Sequence, residues 1–93
     1  MDLRSRWRHL RALCDAASER PGLQLWMFGS ALRCDDPADL DVLIVYEDRR
    51  TVVALRALQH WDEFRPPCDI IAMTPREVDQ YEFVQRTGAV RLV

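Results

Sequence analysis

Apolar residues in the first part of the chain recur every three to four positions. Residues 2–19 carry this stripe on one side and arginines on the other. The pattern is typical of an amphipathic helix that packs on a core. The apolar positions are Leu3, Trp7, Leu10, Cys14 and Ala17. The sequence Arg20-Pro21-Gly22 predicts the end of this helix.

Apolar segments at residues 23–28, 41–46 and 68–73 predict β-strands. In the first, both alternating sets of side chains are largely apolar, as in a sheet that is covered on both faces. In the second, Val42 to Val45 is an uninterrupted run of β-branched residues and leucine. Such a run is typical of a strand buried in the middle of a sheet. We therefore expect the second strand to be central.

Helix signals follow the second and third strands. Asp48 offers an N-cap, and Thr74-Pro75-Arg76-Glu77 is a capping box with proline at the first helical position. The expected inward-facing residues are Val52, Val53, Leu55, Leu58 and Trp61 in one helix and Val78, Tyr81, Phe83 and Val84 in the other. Thr87-Gly88 predicts the end of the last helix. The apolar tail 89–93 is expected either to add an edge strand or to dock on a partner.

The order of these elements predicts an α/β (α+β) fold. We expect a small mixed β-sheet of three or four strands with helices packed on it, forming a single domain over residues 1–93. The chain has 93 residues, of which 48% are hydrophobic, and this composition is that of a folded globular unit. Because a core of this size is thin, self-association or a partner is also expected.

Charge and hydropathy narrow the possible surroundings of the protein. The formal net charge is −2, so the chain lacks the basic footprint of broad nucleic-acid binding. No apolar run is long enough to span a bilayer, and the N-terminus lacks the apolar segment of a signal peptide. We therefore expect a cytoplasmic protein without a membrane partner.

The cysteines and histidines give no chemical motif. Cys14, Cys34 and Cys68 are odd in number and widely spaced, which implies neither a disulfide framework nor a zinc site. A catalytic thiol would need a histidine partner, but His9 and His60 lie in helical patterns. We expect all of these residues to be structural.

Carboxylates at the start of two strands form the main chemical signal. Asp39 and Asp41 are spaced i, i+2, so their side chains lie on the same face of a strand. Asp69 begins the third strand as Asp41 begins the second. If the two strands are neighbours that start at the same end of the sheet, the three carboxylates surround one small volume. Oxygen ligands of this kind suit Mg²⁺, and the cluster could hold two ions.

A second signal is Gly29-Ser30, directly after the first strand. Gly29 can adopt the backbone angles of a tight turn, and its lack of a side chain lets the backbone approach a ligand. Ser30 offers a hydroxyl group and the first amides of a short helix, which favour an anion. A phosphate site beside a cation site predicts a nucleoside triphosphate as ligand.

These residues resemble a known family. Gly29-Ser30, then Asp39-Leu40-Asp41, then a lone Asp69 on a later strand are similar to the signature of nucleotidyltransferases of the DNA polymerase beta superfamily. The size of the chain is similar to that of the minimal nucleotidyltransferases that partner HEPN proteins in toxin–antitoxin pairs. The resemblance implies a nucleotidyltransferase-like fold. Two features depart from the family pattern: Cys34 stands where glycine is common, and the spacer from Ser30 to Asp39 is short.

The resemblance also implies roles for residues. Asp39, Asp41 and Asp69 would be the catalytic metal ligands, and Gly29, Ser30 and Arg33 would contact the nucleotide. The implied activity is Mg²⁺-dependent transfer of a nucleoside monophosphate, most simply AMP from ATP, to a hydroxyl. The acceptor would be a tyrosine of a partner HEPN toxin, and the protein would act as the antitoxin.

Three alternatives stay open on the sequence. The protein could be a catalytically silent antitoxin that neutralises its partner by binding alone, or a transferase for a small molecule such as an aminoglycoside. Within the site, Asp35 and Asp36 could replace one of the three carboxylates as metal ligands. Because nothing in the sequence fixes the direction of these two loop residues, we expect them to be solvated.

Overall fold

The structure, a computed structural model, describes residues 2–93. Its strands are Gln24–Phe28 (β1), Leu40–Val45 (β2), Cys68–Met73 (β3) and Val90–Arg91 (β4). Its α-helices are Arg8–Ser18 (α1), Arg49–Ala57 (α2), Pro75–Gln80 (α3) and Phe83–Thr87 (α4). Short 3-10 helices cover Leu3–Ser5, Gly29–Leu32 and Trp61–Glu63. The predicted fold is confirmed: helices pack on a small mixed sheet.

The sheet has four strands in the order β3-β2-β1-β4. The β2 and β3 strands are parallel, whereas β1 is antiparallel to both β2 and β4. The central position predicted for the second strand is confirmed, because Leu40 and Val42–Ile44 are fully buried. The C-terminal tail contributes the edge strand β4, which was one of the two expected outcomes.

The two faces of the sheet are covered by different helices. On one face, side chains of β1 and β2 such as Leu25 and Ile44 pack in a common core with Leu10 and Leu13 of α1. The opposite face carries Phe28, whose ring meets Phe83 of α4 edge to face at a centroid distance of 4.9 Å. This second face is the one on which the carboxylates lie.

The first helix is shorter than predicted. Leu3–Ser5 is a separate 3-10 helix whose N-cap, Asp2, accepts a hydrogen bond from the backbone N–H of Arg4, and α1 begins only at Arg8. With 11 residues, α1 is the longest helix. No helix in residues 2–93 is long and apolar enough to cross a membrane.

The second helix is shorter than predicted, and two of the residues predicted to face inward are exposed. The α2 helix ends at Ala57, and Val53 and Leu58 are 62% and 48% exposed. Trp61 is buried as expected, but it lies in a 3-10 helix and its indole Nε1–H donates to the Leu55 carbonyl oxygen at 3.0 Å. The buried tryptophan therefore caps the end of α2 and does not extend the apolar face of this helix.

The last predicted helix is divided in two. The capping box at Thr74 is confirmed, with hydrogen bonds in both directions between Thr74 and Glu77. Glu82 then adopts left-handed backbone angles, with φ of 50°, and separates α3 from α4. This bend leaves Tyr81 54% exposed, so the prediction that it faces inward was wrong. The same bend directs Phe83 toward Phe28.

A pair of identical substitutions tests the assignment of the core. Leu13 is fully buried in the core, and Leu58 is 48% exposed. Because Leu13→Ala removes buried methyl groups and leaves a cavity, it should lower the free energy of unfolding by about 2–5 kcal/mol. Leu58→Ala should change it by less than about 1 kcal/mol. Urea unfolding followed by circular dichroism measures both, and equal losses would contradict the assignment.

Candidate metal centre

Asp39, Asp41 and Asp69 meet at one end of the sheet. One carboxylate oxygen of each lies within 4.8 Å of the others. Asp41 and Asp69 are direct neighbours in the parallel register of β2 and β3, and Asp39 precedes β2 by one residue. The predicted convergence of the three side chains is therefore confirmed. Asp39 and Asp41 are half-buried and Asp69 is exposed, so a ligand can reach the cluster from solvent.

A backbone contact fixes the start of both strands. The Leu40 N–H donates to the Pro67 carbonyl oxygen at 2.8 Å, directly before β3 begins. Leu40 and Cys68 are register partners whose side chains are buried in the core. Because successive side chains on a strand alternate between faces, their neighbours Asp41 and Asp69 must project from the other face.

His9 holds the loop that leads into β3. Its Nε2 lies 2.8 Å from the carbonyl oxygen of Pro66, and its ring stacks on Phe64 at a centroid distance of 5.0 Å. Since a carbonyl can only accept, Nε2 carries the proton in this hydrogen bond. The expectation that His9 is structural agrees with this position. Its link to the site could not be read from the sequence, because 57 residues separate His9 from Pro66.

The cluster concentrates negative charge that no arginine balances. None of the ion pairs among residues 2–93 includes one of the three carboxylates. Partial burial, together with the charges of Asp39 and Asp69, raises the pKa of Asp41 above its usual range. The folded protein therefore disfavours the ionised form of Asp41, and a bound cation would relieve both causes.

Gly29 lies directly against Asp41. Its φ is +81°, and a Cβ atom at this position would overlap the Asp41 carboxylate, with the Asp41 Cγ only 3.1 Å away. Phe28, the residue before it, is the register partner of Asp41. The turn that carries the exposed Ser30 thus adjoins the carboxylates, as expected. The assignment of Gly29 and Ser30 to phosphate binding stays a prediction.

Arg6 tethers the loop after this turn. Its guanidinium donates to the Ala31 and Cys34 carbonyl oxygens at 3.5 and 3.4 Å and pairs with an Asp35 oxygen at 2.7 Å. Asp35 and Asp36 are exposed and are not part of the carboxylate cluster, so the structure does not bring them to the site. Arg33 is exposed on the same loop, and its contact with a nucleotide stays a prediction.

A cavity of about 330 Å³ opens beside Asp69, at the outer edge of β3. Its lining includes Trp61 and His60, for which the sequence predicted only structural roles, and Arg56, Gln59 and Asp62, which the sequence did not single out. The Arg56 guanidinium donates to the Ile70 carbonyl oxygen at 2.9 Å, which holds it against the strand. In the sequence, Arg56 and His60 occupy polar positions of a helical pattern. Nothing in that pattern indicates their position beside Asp69.

Comparison of the chain with protein-family models, with curated proteins and with solved structures gives no match. The functional interpretation therefore depends on the geometry of the site itself.

The contact between Gly29 and Asp41 can be tested against a second glycine. Gly29→Ala and Gly88→Ala both place a side chain at positive φ, but only Gly29 has atoms within 4 Å of the added Cβ. Gly88→Ala should cost about 1 kcal/mol of stability from backbone strain alone. Gly29→Ala should cost more than about 2 kcal/mol, because it must also displace the Asp41 side chain. Chemical unfolding without metal measures the difference, and equal costs would show that Asp41 is not in contact with Gly29.

The raised pKa of Asp41 makes a prediction about pH and metal. The folded state binds a proton at Asp41 more tightly than the unfolded state does, so ionisation of Asp41 lowers stability as pH rises above about 4. Asp41→Asn should therefore stabilise the metal-free protein at pH 7, and this gain should vanish as pH falls toward about 4. Mg²⁺ should stabilise the original protein more than it stabilises this variant.

The matched control is Asp36→Asn, which removes an exposed carboxylate outside the cluster. It should change neither the stability at pH 7 nor the response to Mg²⁺. Thermal unfolding over a pH series measures both variants. A metal-free Asp41→Asn variant less stable than the original protein at pH 7 would mean that the carboxylate makes a favourable contact, contrary to the electrostatic interpretation.

Proposed function

We propose that the protein is a Mg²⁺-dependent nucleotidyltransferase that moves a nucleoside monophosphate, most simply AMP from ATP, to a hydroxyl. One observation carries the proposal: the oxygens of Asp39, Asp41 and Asp69 lie within 4.8 Å of one another. The carboxylates adjoin a tight glycine turn, which gives the proposed triphosphate a place beside the cations. The order of these residues along the chain is also that of the family that the sequence resembles.

The donor set fits the proposed metal. Magnesium prefers carboxylate oxygens and commonly shares its coordination between one or two carboxylates and substrate phosphates. All three side chains offer such oxygens, and a bound cation would counteract the partial burial and the neighbouring charges that raise the pKa of Asp41. Bound magnesium would neutralise the charge of the triphosphate and so favour attack of the acceptor oxygen on the α-phosphorus. Asp39, Asp41 and Asp69 are the proposed ligands.

The proposed nucleotide site begins at the turn. With no side chain at Gly29, a phosphate can approach the backbone closely beside Asp41. Ser30 is exposed at this point and offers its hydroxyl group to an anion. Arg33, exposed on the same loop, supplies the positive charge that a phosphate oxygen would pair with. Together these groups would orient the triphosphate, and the carboxylates would hold its cations.

The proposed acceptor is a tyrosine hydroxyl of a partner HEPN toxin. This part of the proposal is supported by the resemblance of the motif. Addition of AMP places a bulky anionic group on the tyrosine and would silence the toxin. The protein would then act as an antitoxin by chemistry rather than by contact alone.

Transfer can be tested with ATP labelled at two different phosphates. Incubated with Mg²⁺ and a HEPN partner, the protein should transfer label from the α-phosphate to the partner, and none from the γ-phosphate. Asp41→Asn should reduce this transfer by about 10²-fold or more, because it removes a metal ligand. Asp36→Asn should leave it unchanged. Transfer from the γ-phosphate would identify a kinase, and α-label on no acceptor would contradict the proposal.

A double variant separates catalysis from neutralisation by binding. Asp39→Ala combined with Asp41→Ala should abolish protection against the toxin if transfer is the mechanism. Protection that survives this double variant, while the complex still forms, would make the protein a binding antitoxin. Label found on an aminoglycoside instead of a protein would identify a small-molecule transferase.

A further inference from the structure

The cavity beside Asp69 shares this residue with the proposed catalytic site. It has a volume of about 330 Å³, and Asp69 belongs both to its wall and to the carboxylate cluster. This volume lies in the range of pockets that bind small molecules or single side chains. A group bound in the cavity would therefore lie beside Asp69, one of the proposed ligands of the cations.

The order of the strands places this cavity opposite the glycine turn. Gly29 follows β1, Asp41 lies on the adjacent β2, Asp69 lies on β3, and the cavity opens at the outer edge of β3. In nucleotidyl transfer the attacking oxygen and the leaving pyrophosphate are in line on opposite sides of the phosphorus. A triphosphate held at the turn thus leaves the cavity side open to the attacking oxygen.

We propose that this cavity is the acceptor site and that Arg56 and His60 hold a phenolic acceptor in it. The inference rests on the proposed function. In the step, the phenolic oxygen forms a bond to the α-phosphorus and the bond between that phosphorus and the bridging oxygen breaks. Pyrophosphate leaves with the bonding electron pair, and the phenolic proton passes to solvent water at the mouth of the cavity.

The wall of the cavity suits a phenol better than an aliphatic alcohol. The Arg56 guanidinium is planar and is held in place by its hydrogen bond to the Ile70 carbonyl oxygen. Guanidinium and imidazole planes stack on aromatic rings, and Arg56 and His60 bring both to one cavity. A phenol ionises near pH 10, far more readily than an alcohol. In this cavity Arg56 favours the ionised phenol, whereas Asp62 and Asp69 disfavour it.

The remaining polar residues of the wall can hold the chain that carries the phenol. Gln59 and Asp62 line the same cavity. The amide of Gln59 can donate to and accept from a peptide group, and the carboxylate of Asp62 can accept from a peptide N–H. A tyrosine within an exposed peptide segment satisfies both requirements.

The test follows binding of a tyrosine analogue by the 93-residue chain, separately from any transfer. N-acetyl-L-tyrosinamide is titrated into ¹⁵N-labelled protein, and amide chemical shifts are recorded. The shifts should concentrate at residues 56–62 and at Asp69. Arg56→Gln and His60→Gln should each weaken this binding by at least about fivefold, because each removes a planar partner of the ring. Arg76→Gln, an exposed arginine of α3 outside the cavity, should leave it unchanged.

Two further titrations identify which idea fails. N-acetyl-L-phenylalaninamide, which lacks the hydroxyl, should bind more weakly than the tyrosine analogue. Mg²⁺ should change the amide chemical shifts of Asp39, Asp41 and Asp69 to the same extent in the original protein and in both cavity variants. Two outcomes would overturn the acceptor site alone, provided that Mg²⁺ binds normally. In one, the tyrosine analogue causes no shifts at residues 56–62; in the other, it binds the two cavity variants as tightly as the original protein. Absence of any response to Mg²⁺ overturns the proposed function on which it rests.

Discussion

The parallel pairing of β2 with β3 is the constraint on which the site depends. It places Asp41 beside Asp69 and Leu40 beside Cys68, so that one pair enters the solvent-facing site and the other enters the core. A register shift of one residue would exchange the faces of every side chain on a strand. The shift would bury two carboxylates and expose apolar groups. The core and the site therefore enforce the same register.

The cluster works against the stability of the fold that holds it. Burial and the charges of its neighbours raise the pKa of Asp41, so the ionised form of Asp41 is disfavoured in the folded protein. The same carboxylate also explains why position 29 is a glycine, because any side chain there would overlap Asp41. Groups whose pKa is shifted by burial and by neighbouring like charges cluster at functional sites.

The extent to which the sequence predicts this molecule depends on how local each signal is. The strands, the capping box at Thr74 and the convergence of the carboxylates were predictable, because alternation and N-cap chemistry act over a few residues. The inward positions expected for Val53, Leu58 and Tyr81 were wrong. Val53 lies within α2 but on its exposed side, Leu58 lies beyond the end of α2 at Ala57, and Tyr81 precedes Glu82, where the chain turns with left-handed angles. The contacts of His9 and Arg56 were not predicted, because their hydrogen-bond partners are distant in sequence.

The parallel pairing also explains why a cavity lies where it does. Two adjacent parallel strands need a connection that returns the chain from the end of the first strand to the start of the second. Here α2 and residues 58–67 make that return, so the end of the connection must lie beside the beginning of β3. Asp69 is at that beginning, Arg56 lies near the end of α2, and His60 lies in the residues 58–67 that complete the return. The residues that line the cavity are thus brought to Asp69 by the same parallel pairing that aligns Asp69 with Asp41.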